Sequence, residues 1–218
     1  ATGSEDWHGA DNVFIGDSAG YSNTEGWNNA FVGWKSGFSN TTASNNTFLG
    51  NAAGYDNTTA CCNTFLGSFA GGQNTEGFRN TYTGYGAGHY GTTGEKNSFF
   101  GDLAGLRNLT GKYNTFLGAE TGYNNTEGNE NTFIGFTAGQ QNTTAEFNTF
   151  IGSGAGTQNT TGGDNTATGA GALYNNTTGS KNTAIGRLSL HNNTEGEANT
   201  ATGIWSLEAN TTGSNNTA

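Results

Sequence analysis

Apolar and polar positions along this chain follow one recurring pattern: an Asn, a Thr-Phe-Leu or Thr-Phe-Ile run, then Gly, as in NTFLG at 46–50 and NTFIG at 131–135. The leading Asn stands at 12, 29, 46, 63, 80, 97, 114, 131, 148, 165, 182, 199 and 216, always 17 residues apart. Numbered from that Asn, twelve full units occupy 12–215, with partial units at 1–11 and 216–218. Short β-branched and aromatic runs favour strands, and the Gly, Asn and Thr between them favour tight turns. Helical repeats need roughly 33 residues or more per unit, so a period of 17 is too short for a helix pair. The pattern predicts an all-β fold: a parallel β-solenoid, or β-roll, of 17-residue coils, forming one uncapped repeat domain over 1–218.

The units serve as one another's comparison. Where the third position is aromatic the ninth is Gly, as in Phe48 with Gly54 and Phe150 with Gly156. Where the third is Ala the ninth is Leu, as in Ala184 with Leu190. Volume lost at one site returns at the other, which close packing requires of residues sharing one slice of core. Strand alternation then sends the second and fourth positions to the opposite face. Leu49, Leu66, Leu117, Ile134, Ile151 and Ile185 would line up there as an exposed interface stripe. A wider coil enclosing both faces is the alternative. Asn46, Asn63, Asn114 and Asn131 at position one, and Asn57 and Asn142 at position twelve, are expected to form ladders, each amide bonding to the copies above and below.

Composition narrows the function. The chain has 38 Gly, no Pro and only 11% charged residues, which suits a thin ordered core. Seven Lys and Arg against 17 Asp and Glu exclude a basic nucleic-acid footprint. No apolar run approaches the ~18 residues of a membrane span, and no signal peptide is visible. Catalytic groupings are not legible either. His8, His89 and His191 lie too far apart along the repeat for a triad, and Asp17 and Asp102 share a column five units apart. The loop Glu127, Asn129, Glu130 lacks a calcium signature, and adjacent Cys61 and Cys62 fit no zinc spacing, leaving a vicinal disulfide or two free thiols open. Neither catalysis nor a cofactor or metal is expected. Sequons at Asn40, Asn57, Asn108, Asn142, Asn159, Asn176 and Asn210 follow from the Asn-Thr-Thr repeat itself. At position ten, Tyr21, Phe38, Tyr55, His89, Tyr123 and Tyr174 form a broken aromatic column that could meet a sugar or a neighbouring chain.

The run NTATGAGALYNNTTGSKNTAIGRLSLHNNTEG at 165–196 resembles the tandem NTAxGxxALxxNTTGxx units of bacterial and phage surface-fibre proteins, some of which carry an endosialidase-type intramolecular chaperone. It is similar, more loosely, to the head repeats of trimeric autotransporter adhesins, which are trimeric parallel β-rolls. The resemblance implies an extracellular or cell-surface fibre, stalk or tail fibre, homotrimeric, with itself as partner. The first nine units depart from it by using an aromatic residue at position three and Gly at nine. The lack of divergent end units adds the expectation of an end-to-end filament. Two rival readings are an ice-binding solenoid, from the Thr columns, and a fibre that binds surface glycans.

Overall fold

The computed structural model describes residues 11–218. Each unit contributes one three-residue strand at its second to fourth positions, from β1 (Val13–Ile15) to β12 (Thr200–Thr202). The twelve strands form one sheet in chain order, every neighbouring pair parallel and offset by one unit, so that Phe48 faces Phe65 and Phe133 faces Phe150. Parallel pairing in sequential order requires the chain to circle back once per unit. The protein is a β-solenoid, with no helix among the described residues.

Strand alternation sets what fills the coil: Phe48 is buried between exposed Thr47 and Leu49. The third-position rings from Phe14 to Phe150 form one stack, with centroids 4.7–5.0 Å apart and planes within 3–11°. Neighbouring strands in open sheets usually rotate by about 20–25°, and flat sheets persist where stacking or side-chain ladders hold them. The ring stack is one such device, and ladders of Asn side chains are another.

The third and ninth positions touch. A Cβ at Gly54 would lie 2.5 Å from Phe48 Cε2, and one at Gly156 would lie 2.5 Å from Phe150 Cδ2. Where the stack ends at Ala167, Ala184 and Ala201, Leu173 and Leu190 are fully buried and Leu207 packs at the edge. The ninth backbone is left-handed in both versions, with φ 58° at Gly54 and 50° at Leu190. Leu there accepts strain of ~1–2 kcal/mol, which burial worth ~1.5–3 kcal/mol offsets. The invariant fifth Gly has a separate cause. Gly50 has φ 145°, and a Cβ on it would sit 2.5 Å from the carbonyl carbon of Gly67 in the next coil.

Two buried Asn columns lace the coils together, but by different bonds. At position twelve the amides bond to one another: Asn142 Nδ2 donates to Asn125 Oδ1 (2.6 Å) and Ala145 O (3.1 Å), while Asn159 Nδ2 donates to Asn142 Oδ1 (3.1 Å). Asn57 does the same with Asn40 and Ala60. At position one the expected amide-to-amide ladder is replaced. Asn46 Oδ1 accepts the backbone N–H of Asn63 (2.9 Å), and Asn46 Nδ2 donates to Ala60 O (3.0 Å). Asn114 and Asn131 repeat this pattern, their Oδ1 atoms accepting the N–H of Asn131 and Asn148. The Asn just before each strand presents its backbone N–H to the Asn of the coil before it, and a buried N–H demands an acceptor. Amide–amide bonds along this column join in towards the C-terminal end, as from Asn199 to Asn182 (3.1 Å), and Asn114 also donates across to Asn108 of the twelfth column (3.3 Å).

The twelfth column has one gap. Gly91 stands where other units have Asn, and the same unit alone has Tyr at position three. A Cβ on Gly91 would lie 3.9 Å from the Tyr82 hydroxyl, so the phenol oxygen reaches towards the space of the missing amide. Burial pushes the Tyr82 phenol pKa up, and a hydrogen bond with Asn97 pulls it partly back. Asn74 Oδ1, one coil earlier, has no donor; among the described residues it is the one buried side-chain polar atom without a partner.

Candidate functional surfaces

The fourth-position side chains project to solvent along the outer face of the sheet. Ile15, Leu49, Leu117, Ile151 and Ile185 are 59, 49, 47, 37 and 43% exposed, and Leu66 and Ile134 are half-buried. That excludes the wider coil, in which they would have been enclosed. Thr47, Thr115, Thr166 and Thr200 flank them as exposed members of the second column. The outcome is a strip of Thr and aliphatic side chains running the length of the sheet. Phe48, Phe150, Ala184, Leu190 and all six named ladder asparagines lie inside the coil instead.

Those positions settle what several polar residues can do. The amides of Asn40, Asn57, Asn108, Asn142, Asn159 and Asn176 are buried in the twelfth column, so a glycan on any of them would break it. His89 Nδ1 and His191 Nδ1 each lie 3.0 Å from a backbone carbonyl, of Phe69 and Gly171; His8 lies outside the described residues. Cys61 and Cys62 are free thiols, and the hydrogen bond between them raises the Cys62 pKa, with burial adding to it. Glu127, Asn129 and Glu130 line an open groove, where Asn129 donates to Glu146 (2.6 Å) and accepts from the Lys112 N–H (2.8 Å). No group of three or more His, Cys, Asp or Glu could hold a metal among the described residues. Nor is any helix among them long and apolar enough to cross a membrane.

The tenth-position column divides into pieces. Tyr21, Phe38 and Tyr55 stack at 5.2 and 5.1 Å, and Tyr174 stacks on His191 at 5.3 Å. Gly72 interrupts the column, and beyond it His89 turns to edge contacts with Phe69 (5.7 Å) and Tyr90 (4.5 Å). Trp34, Phe69 and Tyr85 join this region from the sixth and seventh positions. They form no column, so a reading by period overlooks them; the only trace in the sequence is a local excess of aromatic residues. No protein-family model, curated protein or solved structure matches this chain.

Proposed function

We propose that this chain is a non-enzymatic structural rod, a segment of an extracellular or cell-surface fibre that associates with its own copies, as a homotrimer, through the outer strip. The observation that carries this reading is a line of exposed and half-buried Thr and aliphatic side chains along one face of the sheet. Eleven coil steps of ~4.8 Å make the strip ~53 Å long. It spans positions two to four, three residues or about 10 Å wide. That is ~530 Å² per chain, short of the ~800 Å² per partner of a standard stable interface, so the association needs contacts beyond the strip as well. An exposed, partly apolar patch of several hundred Å² is often an interaction site. The resemblance to surface-fibre repeats agrees with it.

The Thr column favours a second reading, ice binding, because hydroxyls and methyls repeated once per coil on one face can order water. Sedimentation of the native chain beside Ile134→Lys/Ile151→Lys separates the two. The structural reading expects an oligomer that the two charges dissociate, because an unpaired charge is costly to bury. A wild-type monomer that depresses freezing below the melting point, and loses this with Thr149→Tyr/Thr166→Tyr, would replace it.

A further inference from the structure

On a different face from the strip, the second to fifth coils present a groove whose lining is unlike the rest of the molecule. It holds a cavity of about 280 Å³ lined by Trp34, Tyr55, Asp56, Phe69, Gln73 and His89 among others. A second cavity of about 310 Å³ adjoins it, sharing Phe69 and His89 and adding Tyr85 and Tyr90. Gly72 makes the depression between Tyr55 and His89. Its backbone is not left-handed, so its conformation does not call for Gly, but a Cβ there would come within 2.7 Å of His89 Cε1. The absent side chain lets the imidazole lean into the notch.

Aromatic faces and hydrogen-bonding groups alternate in this groove. Trp34 and Tyr85 are about half exposed, and Phe69 over a third. The Lys35 ammonium lies 4.6 Å from the Trp34 ring centroid and 5.8 Å from that of Tyr55. Such a contact is weak where water reaches it, so a ligand can take the ring faces and leave Lys35 to donate from the side. His89 Nδ1 faces the Phe69 carbonyl at 3.0 Å. A carbonyl only accepts, so Nδ1 carries the hydrogen. Asp56 adds an acceptor and Gln73 both a donor and an acceptor. One Lys and one Asp leave the groove without net charge.

We infer that this groove binds an extended, neutral, β-linked pyranose oligosaccharide along the solenoid axis. A pyranose offers an apolar C–H face to a flat ring and a rim of hydroxyls to side chains that donate and accept, which is the combination lining the groove. The two adjoining cavities follow one another from coil to coil, which gives the groove its length along the axis. An anionic glycan would need a cationic excess that the groove lacks. This inference does not depend on self-association, because the strip and the groove have separate residues.

The test is titration of the full chain with β-1,4-linked glucose and N-acetylglucosamine hexasaccharides, followed by calorimetry and tryptophan fluorescence, with α-1,4-linked maltohexaose as comparison. Binding of a β-linked hexasaccharide is expected, weakened more than tenfold by Trp34→Ala or Tyr55→Ala and abolished by Gly72→Leu, which fills the notch. Ile151→Lys, on the strip, should leave it unchanged, and circular dichroism verifies that each variant is folded. The inference is overturned if neither β-linked hexasaccharide binds at millimolar concentration, if maltohexaose binds as well, or if folded Gly72→Leu binds as the parent does. It also fails if Trp34→Ala changes only the sedimentation of the chain, since that assigns the groove to a second copy.

Discussion

The gap at Gly91 offers the sharpest test of how the coil interior is held together. The fifth unit differs from the others at two buried positions at once, Tyr82 for Phe and Gly91 for Asn. If the phenol oxygen substitutes for the missing amide, the two sites must be exchanged together. Gly91→Asn alone drives an amide towards the Tyr82 hydroxyl, which lies only 3.9 Å from the new Cβ, and should cost ~1–3 kcal/mol as overpacking. Tyr82→Phe alone removes the bond with Asn97 and enlarges the void beside Asn74 Oδ1, costing ~1 kcal/mol. In the double variant the new amide has partners waiting. It can donate to the orphaned Asn74 Oδ1 and to Gly94 O, and accept from Asn108 Nδ2, which now donates to Gly111 O alone. Three bonds at ~1 kcal/mol each, less ~1 kcal/mol for the 2.9 Å approach of the new Cβ to Asn108 O, leave a net gain of ~2 kcal/mol. For a chain of this size that raises Tm by ~4–8 °C. Urea unfolding of the four proteins, read by circular dichroism, gives the coupling energy, expected at about 4–6 kcal/mol. Additivity within ~0.5 kcal/mol would refute the argument, since residues that share no space do not couple.

Other expected outcomes are simpler. Leu190→Gly should destabilise by ~1–3 kcal/mol, the cavity cost lessened by release of the left-handed strain, and adding Ala184→Phe should recover much of it by recreating the Phe48–Gly54 arrangement; thermal melts of both variants check this. Asn142→Ala leaves Asn125 Oδ1 and one Asn159 N–H unpartnered and should cost ~2–4 kcal/mol in urea unfolding, with hydrogen exchange quickening first in the adjacent coils. Burial raises the Asp56 pKa despite the opposing influence of His89. The fold therefore favours its protonated form, so its ionisation lowers stability at pH values above the raised pKa and not at pH values below the ordinary one. Asp56→Asn should remove that part of the pH dependence, measured as the difference between urea midpoints of parent and variant across the carboxylate range.

Much of this architecture was legible because every coil repeats the same physical problem. Twelve solutions in one chain expose which residues covary, and the exchange of Phe48 and Gly54 for Ala184 and Leu190 announced a contact that the structure contains. The constant period determined the parallel register, and alternation about Phe133 determined that Ile134 points away from the core. Other features depend on groups the side-chain pattern does not describe. Which atoms the Asn46 amide meets is decided by where the backbone N–H of Asn63 falls once the coils close, so the first column binds main chain while the twelfth binds itself. The left-handed backbone at the seventh and seventeenth positions was equally hidden, because it is occupied by residues as unlike as Phe69, Glu130 and Trp205. There the closure of the coil imposes the conformation, and the residue complies. The aromatic groove lies at the same limit. Trp34, Tyr55, Phe69 and His89 come from three different positions in four successive coils, and only stacking at one coil per turn brings them onto a common surface.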